Sequence, residues 1–239
     1  MIKIEHATKK FGQKVAVNDI SFEIPSGCIT GFIGPNGAGK TTTIHMITGV
    51  LSADQGVITL NGINIKDQPI EAKKQFALVP DSPDLFLRLT GREYANFMAD
   101  IYRVEPELRK ERLESLIKEF HLENDFDSQI SSYSHGMRQK AMIIAALVCD
   151  PSIWILDEPM TGLDPESSYL LKKKMKEHAA SGKSVFFSTH VLEVAEKLCD
   201  KIVMISDGSI KYDGTLEHLK EEHANESLED IFLEVVRHA

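Results

Sequence analysis

Residues 34–42 read Gly-Pro-Asn-Gly-Ala-Gly-Lys-Thr-Thr and follow the apolar run Cys28-Ile29-Thr30-Gly31-Phe32-Ile33. Gly34 and Gly39 bracket four residues, and Lys40-Thr41 follow. This spacing predicts a buried strand that turns through a glycine-rich loop into a helix, the phosphate-binding loop of an α/β nucleotide-binding core. Glycines let the backbone curl so that successive N–H groups point inward at anionic oxygens. The helix opening near Lys40 adds its positive N-terminal end. Gly34, Pro35, Asn36, Gly37, Ala38, Gly39, Lys40, Thr41 and Thr42 are therefore candidate nucleotide contacts. Lys40 has the reach for β- and γ-phosphates, and the Thr41 hydroxyl can ligate Mg²⁺.

A second segment supplies acid. Ile153-Trp154-Ile155-Leu156 is too short to span a bilayer and ends in Asp157-Glu158. Such a run reads as a buried parallel strand, and ligands bind at the carboxyl ends of strands in open α/β sheets. Asp157 is the candidate to hold Mg²⁺, and Glu158 to accept a proton from an attacking water.

The rest of the chain fits a catalytic core with a helical insertion. Ile2-Lys3-Ile4, Ile20–Ile24 and Val57–Leu60 alternate apolar and polar residues, and Asn61-Gly62 is a hairpin turn. This predicts an N-terminal antiparallel β subdomain. Residues 83–150 read as helical. Thr90-Gly91-Arg92-Glu93 is a capping box ahead of Tyr94, Phe97, Met98 and Ile101, and Pro106 opens a helix bearing Leu108, Leu113, Leu116, Ile117 and Phe120. Both apolar stripes are expected to be core. From Pro151 strands and helices alternate, which predicts a mostly parallel sheet. One domain, 1–239, results: residues 1–82 and 151–239 form the core and 83–150 the helical subdomain.

Composition limits the partners. With 27 Lys and Arg against 36 Asp and Glu, the net charge of −9 argues against nucleic acid. Cys28, Cys149 and Cys199 are far apart and odd in number, which reads as buried free thiols in a reducing compartment. The N-terminus lacks the apolar core of a signal peptide, and no stretch is long enough to cross a bilayer. The expected location is cytoplasmic.

With these segments in place, the chain resembles the ATP-binding cassette ATPases over essentially its whole length. Ser134-His135-Gly136-Met137-Arg138-Gln139 stands where that family carries its Leu-Ser-Gly-Gly-Gln signature. Gly162-Leu163-Asp164-Pro165 follows the acidic strand as the family's D-loop does, and His190 sits in the switch-histidine position. Phe11 matches the aromatic residue that stacks on adenine. The resemblance implies ATP and Mg²⁺ as cofactors. It implies Glu158, His190 and Lys40 as catalytic residues. It also implies a second nucleotide-binding subunit, identical or different, docked head-to-tail. Ser134 and Gly136 would face the γ-phosphate held by that partner. Ser134, His135, Gly136 and Asp164 would lie at the subunit boundary. A separate transmembrane permease chain would complete a transporter, with this chain peripheral on the inner face of the cell membrane.

Two segments depart from the family pattern. Asp81 stands where the Q-loop carries Gln, so it becomes a candidate water or Mg²⁺ ligand. His135 and Met137 replace Gly and Gln in the signature. Such signatures, and the terminal run Ser227–Val236, resemble small bacterial cassette subunits of exporter-type permeases. The short helical insertion lacks the coiled coils of the chromosome-maintenance and DNA-repair relatives. The alternative reading is a soluble cassette ATPase in a non-transport complex, such as iron–sulfur cluster assembly, which would share every ATP motif.

Overall fold

The computed structural model describes residues 1–82, 86–223 and 226–237. Two sheets stack. The first is antiparallel, in the order β2-β1-β4-β5, from β1 (Ile2–Phe11), β2 (Lys14–Ile24), β4 (Gln55–Leu60) and β5 (Ile63–Asn64). Its alternating sequence sends Ile2, Ile4, Phe22 and Ile24 inward. Asn61 and Gly62 both take positive φ, 49° and 81°, as a tight two-residue hairpin turn requires.

The second sheet runs β10-β9-β3-β8-β7-β6. It contains β3 (Ile29–Ile33), β6 (Phe76–Val79), β7 (Ile153–Leu156), β8 (Ser184–Thr189), β9 (Lys201–Ser206) and β10 (Ser209–Thr215). Every neighbouring pair is parallel except β10 with β9. Strands β3, β7 and β8 are buried along their whole length, because both faces are covered. Phe22 of the first sheet packs on Phe32 and Phe186 of the second, with centroids 5.5 and 6.3 Å apart. That aromatic cluster sits between the sheets. In-register pairing of Ile33 with Thr189, and of Leu156 with Phe187 and Val79, brings the carboxyl ends of β3, β8, β7 and β6 together at one edge.

The helical region forms as the sequence predicts, with one correction. Thr90 accepts from the Glu93 N–H at 3.0 Å and the Glu93 carboxylate accepts from the Thr90 N–H at 2.9 Å, starting α3 (Gly91–Ile101). Pro106 opens α4 (Pro106–Glu119), and α5 (His135–Cys149) runs beneath both. Tyr94, Leu113, Leu116, Ile117 and Phe120 are buried, but Phe97, Ile101 and Leu108 are exposed. Helix α3 buries Ala95 and Ala99, one turn apart, together with Tyr94, while Phe97 and Ile101 form a separate stripe one turn apart. The apolar arc is wider than the face that packs. Residues 83–85 lie outside the described set, so the expected start of the helical region falls on them.

Helices α1 (Lys40–Ile47), α2 (Pro69–Lys73), α6 (Pro165–Ala180), α7 (Leu192–Leu198), α8 (Leu216–Glu222) and α9 (Leu228–Arg237) complete the chain. The terminal run Ser227–Val236 largely coincides with α9, anchored by buried Leu228 and Ile231. Cys149 and Cys199 are buried, Cys28 is half-buried, and all three are free thiols. No helix among the described residues is long and apolar enough to cross a membrane.

Candidate functional site

The loop between β3 and α1 is shaped by two glycines. Gly39 has φ 111°, and a Cβ there would stand 2.8 Å from the Ala16 carbonyl. A Cβ on Gly34 would stand 2.4 Å from the Ile205 carbonyl. Neither position accepts a side chain. Gly39 caps α1 without any side-chain acceptor, so the first-turn N–H groups of α1 are directed at the loop's concavity. Lys40 lies 7% exposed and donates to the Gly34 and Pro35 carbonyls at 2.7 and 3.3 Å.

A cleft of about 480 Å³ opens over this loop. Asn36, Gly37, Gly39, Lys40, Thr41 and Thr42 form its floor. Phe11, half exposed at its lip, reaches it from the end of β1, with Lys14 and Ala16 beside it. Asp81, Glu158, Thr161 and His190 form the opposite wall. Gly34, Pro35 and Ala38 lie within the loop but do not line the cleft.

The acidic groups have distinct environments. Asp157 is 2% exposed at the end of β7 and accepts the Ser188 hydroxyl proton in a short hydrogen bond. Burial pushes its carboxyl above the usual range; the Ser188 and Thr41 hydroxyls oppose this, and the charges of Asp81 and Glu158 reinforce it. Glu158 sits in the left-handed region at φ 46°, a strained conformation for a side chain of this size. Its N–H donates to Ser188 Oγ at 2.9 Å. Its carboxylate lies 3.6 Å from Lys40 Nζ and 3.0 Å from His190 Nδ1. Thr41, Asp157 and Asp81 together offer hydroxyl and carboxylate oxygens, the hard donors that a Mg²⁺ ion takes.

The signature residues stand apart from this cleft. Ser134 caps α5 by accepting from the Met137 N–H at 3.2 Å. His135 packs against the turn after Glu158, since a Cβ on Gly162 would lie 2.2 Å from its ring. A Cβ on Gly136 would lie 2.7 Å from the Gly162 carbonyl. Asp164 caps α6 through the Ser167 N–H at 2.8 Å and pairs with Lys140 at 2.9 Å. The Ser167 N–H and hydroxyl, then Lys140, hold its carboxyl far below the usual range. Signature helix and D-loop are thus one packed unit.

Ser188 joins the site through its contact with Asp157, which no sequence motif marks. Its role follows from register: pairing Leu156 with Phe187 sets the next residues, Asp157 and Ser188, side by side. A hydroxyl at the end of a buried strand was the only sequence signal.

Residues 17–161 match the family model described as ABC transporter. The chain is 34% identical to the ABC-type transporter ATP-binding protein EcsA of Bacillus subtilis, over 99% of this chain and 97% of that one. It is 34% identical to Nod factor export ATP-binding protein I of Burkholderia lata, over 87% of this chain and 68% of that one. Among solved structures it is similar to an ATP-binding subunit of an ABC transporter, with TM-score 0.94, 33% identity, and 98% and 99% of the two chains covered. It is also similar to the dimeric cassette MJ0796 in a post-hydrolysis state bound to ADP and Pi, with TM-score 0.81, 25% identity, and 90% and 99% covered.

Proposed function

This chain belongs to the ABC transporter family as an ATP-binding ATPase subunit, and from that premise we propose how its own residues hydrolyse ATP and drive a membrane partner. The observation that carries the proposal is the meeting of Lys40, Glu158 and His190 in one cleft while Ser134 and Gly136 lie outside it.

Phe11 stacks on the adenine, and residues 34–42 wrap the phosphates. Lys40 exchanges its carbonyl partners for β- and γ-phosphate oxygens. Thr41, Asp157 and Asp81 would hold Mg²⁺, which would supply charge neutralisation for the phosphoryl group. Glu158 takes a proton from water as the water oxygen bonds to the γ-phosphorus, and the bond to the β–γ bridging oxygen breaks, giving ADP and phosphate. His190 orients the Glu158 carboxylate and reaches the γ-phosphate. Residues 1–82 and 151–239 act as the catalytic core, and 83–150 as the helical subdomain.

A second cassette, identical or different, completes the site by presenting its Ser134 and Gly136 equivalents to this chain's ATP. His135 and Asp164 lie at the boundary between the two. Support comes from the dimeric MJ0796 structure and from a signature with no partner in its own chain's cleft. A permease chain docks on the helical region. There Phe86 stacks on Tyr94 at 5.2 Å and leans on Phe97 at 5.7 Å, leaving Phe86, Phe97 and Ile101 in solvent. An exposed apolar patch of this kind suits a protein partner. The subunit then works at the inner face of the membrane. Export is the direction supported by the relative named for Nod factor export.

Tagged chain purified from detergent-solubilised membranes tests this. A multi-span protein that co-purifies and raises the ATPase rate is the expected result. Recovery only in a water-soluble complex overturns the transport reading in favour of a non-transport assembly.

A further inference from the structure

Phe11 is half exposed at the end of β1, yet one side of its ring is occupied. Lys9 Nζ lies over it, 5.7 Å from the centroid. Lys9 is itself fixed. Its ammonium donates to the Ser52 carbonyl at 2.8 Å and to Asp54 Oδ1 at 2.9 Å, and its side chain is only 14% exposed. Asp54 is fixed in turn, because its other oxygen accepts the Lys10 N–H at 2.7 Å and its own N–H donates to the Thr8 carbonyl at 2.8 Å. The segment after α1 is thereby tied to the strand that carries Phe11. Phe11 lines the nucleotide cleft and Lys9 does not. The cation over the ring therefore comes from outside the set of residues that line the cleft.

We propose that Lys9, braced by Ser52 and Asp54, is a positioning residue that holds the Phe11 ring ready to receive the base of a nucleotide. The inference rests on the reading of Phe11 as the base-stacking residue. Two physical effects follow. A ring held by a cation on one face loses less freedom when a base lands on the other. A cation behind the ring also draws π density away from the open face, which favours stacking with an electron-rich purine. Both effects act on the base and leave the phosphates untouched.

The test compares ADP, which has a base, with inorganic pyrophosphate, which has none. Affinities are measured by calorimetry on the full chain for wild type, Lys9→Met, Lys9→Arg, Phe11→Ala and the Lys9→Met/Phe11→Ala double variant. Lys9→Met should weaken ADP roughly three- to fivefold, the scale of one exposed cation–π contact, and leave pyrophosphate within about twofold. Lys9→Arg should restore ADP binding. In the Phe11→Ala background Lys9→Met should cost nothing further. Equal weakening of both ligands, an undiminished effect without Phe11, or failure of Lys9→Arg to restore binding overturns the proposal. If Phe11→Ala weakens ADP while Lys9→Met does not, the proposal alone falls. If Phe11→Ala leaves ADP unchanged, the stacking reading falls and takes the proposal with it.

Discussion

The Glu158 carboxylate and the His190 imidazole meet at 3.0 Å, Oε2 to Nδ1, at the ends of adjacent parallel strands. The other carboxylate oxygen, Oε1, faces Lys40 Nζ at 3.6 Å. The proposed base is therefore held from both sides, and its main chain is pinned by Ser188 at 2.9 Å. A group fixed this way needs little rearrangement to meet a water lined up on phosphorus.

Glu158→Gln should leave ATP affinity within a fewfold and slow hydrolysis by on the order of 10²-fold or more, the usual scale of general-base loss. Lys40→Ala should instead weaken nucleotide binding, because it removes the cation facing the phosphates. Single-turnover hydrolysis and nucleotide titration separate the two. Turnover of Glu158→Gln near the wild-type rate removes Glu158 from the role of base.

Phe11→Ala should weaken ATP by roughly 1–3 kcal/mol, the scale of one base–aromatic stack, and GTP by a similar amount. Phe11→Tyr and Phe11→Trp should retain affinity, since each keeps a π face. Equilibrium titration of each variant decides it, and unchanged affinity in Phe11→Ala rejects the stack.

Asp81 lines the cleft on the Glu158 side, two residues after β6 ends at Val79, where the chain leaves the sheet toward the helical region. Asp81→Ala should lower permease-stimulated ATPase while keeping nucleotide affinity within a fewfold. Asp81→Gln should be tolerated, because an acceptor remains at longer reach. Rates with and without reconstituted permease check this.

How much of this was legible in the sequence depends on what kind of distance each feature spans. The phosphate loop is local: Gly34, Gly39 and Lys40 declare it by spacing, and the fold places them accordingly. The Thr90–Glu93 capping box is local too, and it forms. Ser188 was not legible, because its contact with Asp157 depends on the register of β7 against β8, 31 residues apart in sequence. The exposure of Phe97 and Ile101 was not legible either, since helical period shows an apolar arc but not how much of it a neighbour covers. Asp164 is marked in the sequence only by its resemblance to the family's D-loop position. Its helix cap and its pairing with Lys140 needed the packing of α5 against that turn.

His178 should make the protein acid-sensitive. It is buried in T-shaped contact with Trp154, centroids 5.7 Å apart. Burial, helped by the nearby Lys183 charge, pushes its pKa from 6.5 down to about 4, with Asp150 and the Pro151 backbone opposing. The unfolded chain then binds a proton between those values that the folded chain refuses. Stability is full above pH 6.5, falls as pH drops toward 4, and levels off below, with a loss of at most about 3 kcal/mol. The difference in unfolding free energy between pH 7.5 and pH 4.5 should shrink in His178→Gln. An unchanged difference assigns the acid sensitivity to other groups.

The central claim is that ATP is sandwiched between the phosphate loop of one subunit and the Ser134–Gly136 segment of another. Sedimentation velocity on the Glu158→Gln chain, with and without ATP, tests it most directly. The account predicts a monomer without nucleotide, a dimer with ATP, and return to monomer when Ser134 is replaced by Arg. A single species of unchanged size in all three conditions would contradict it.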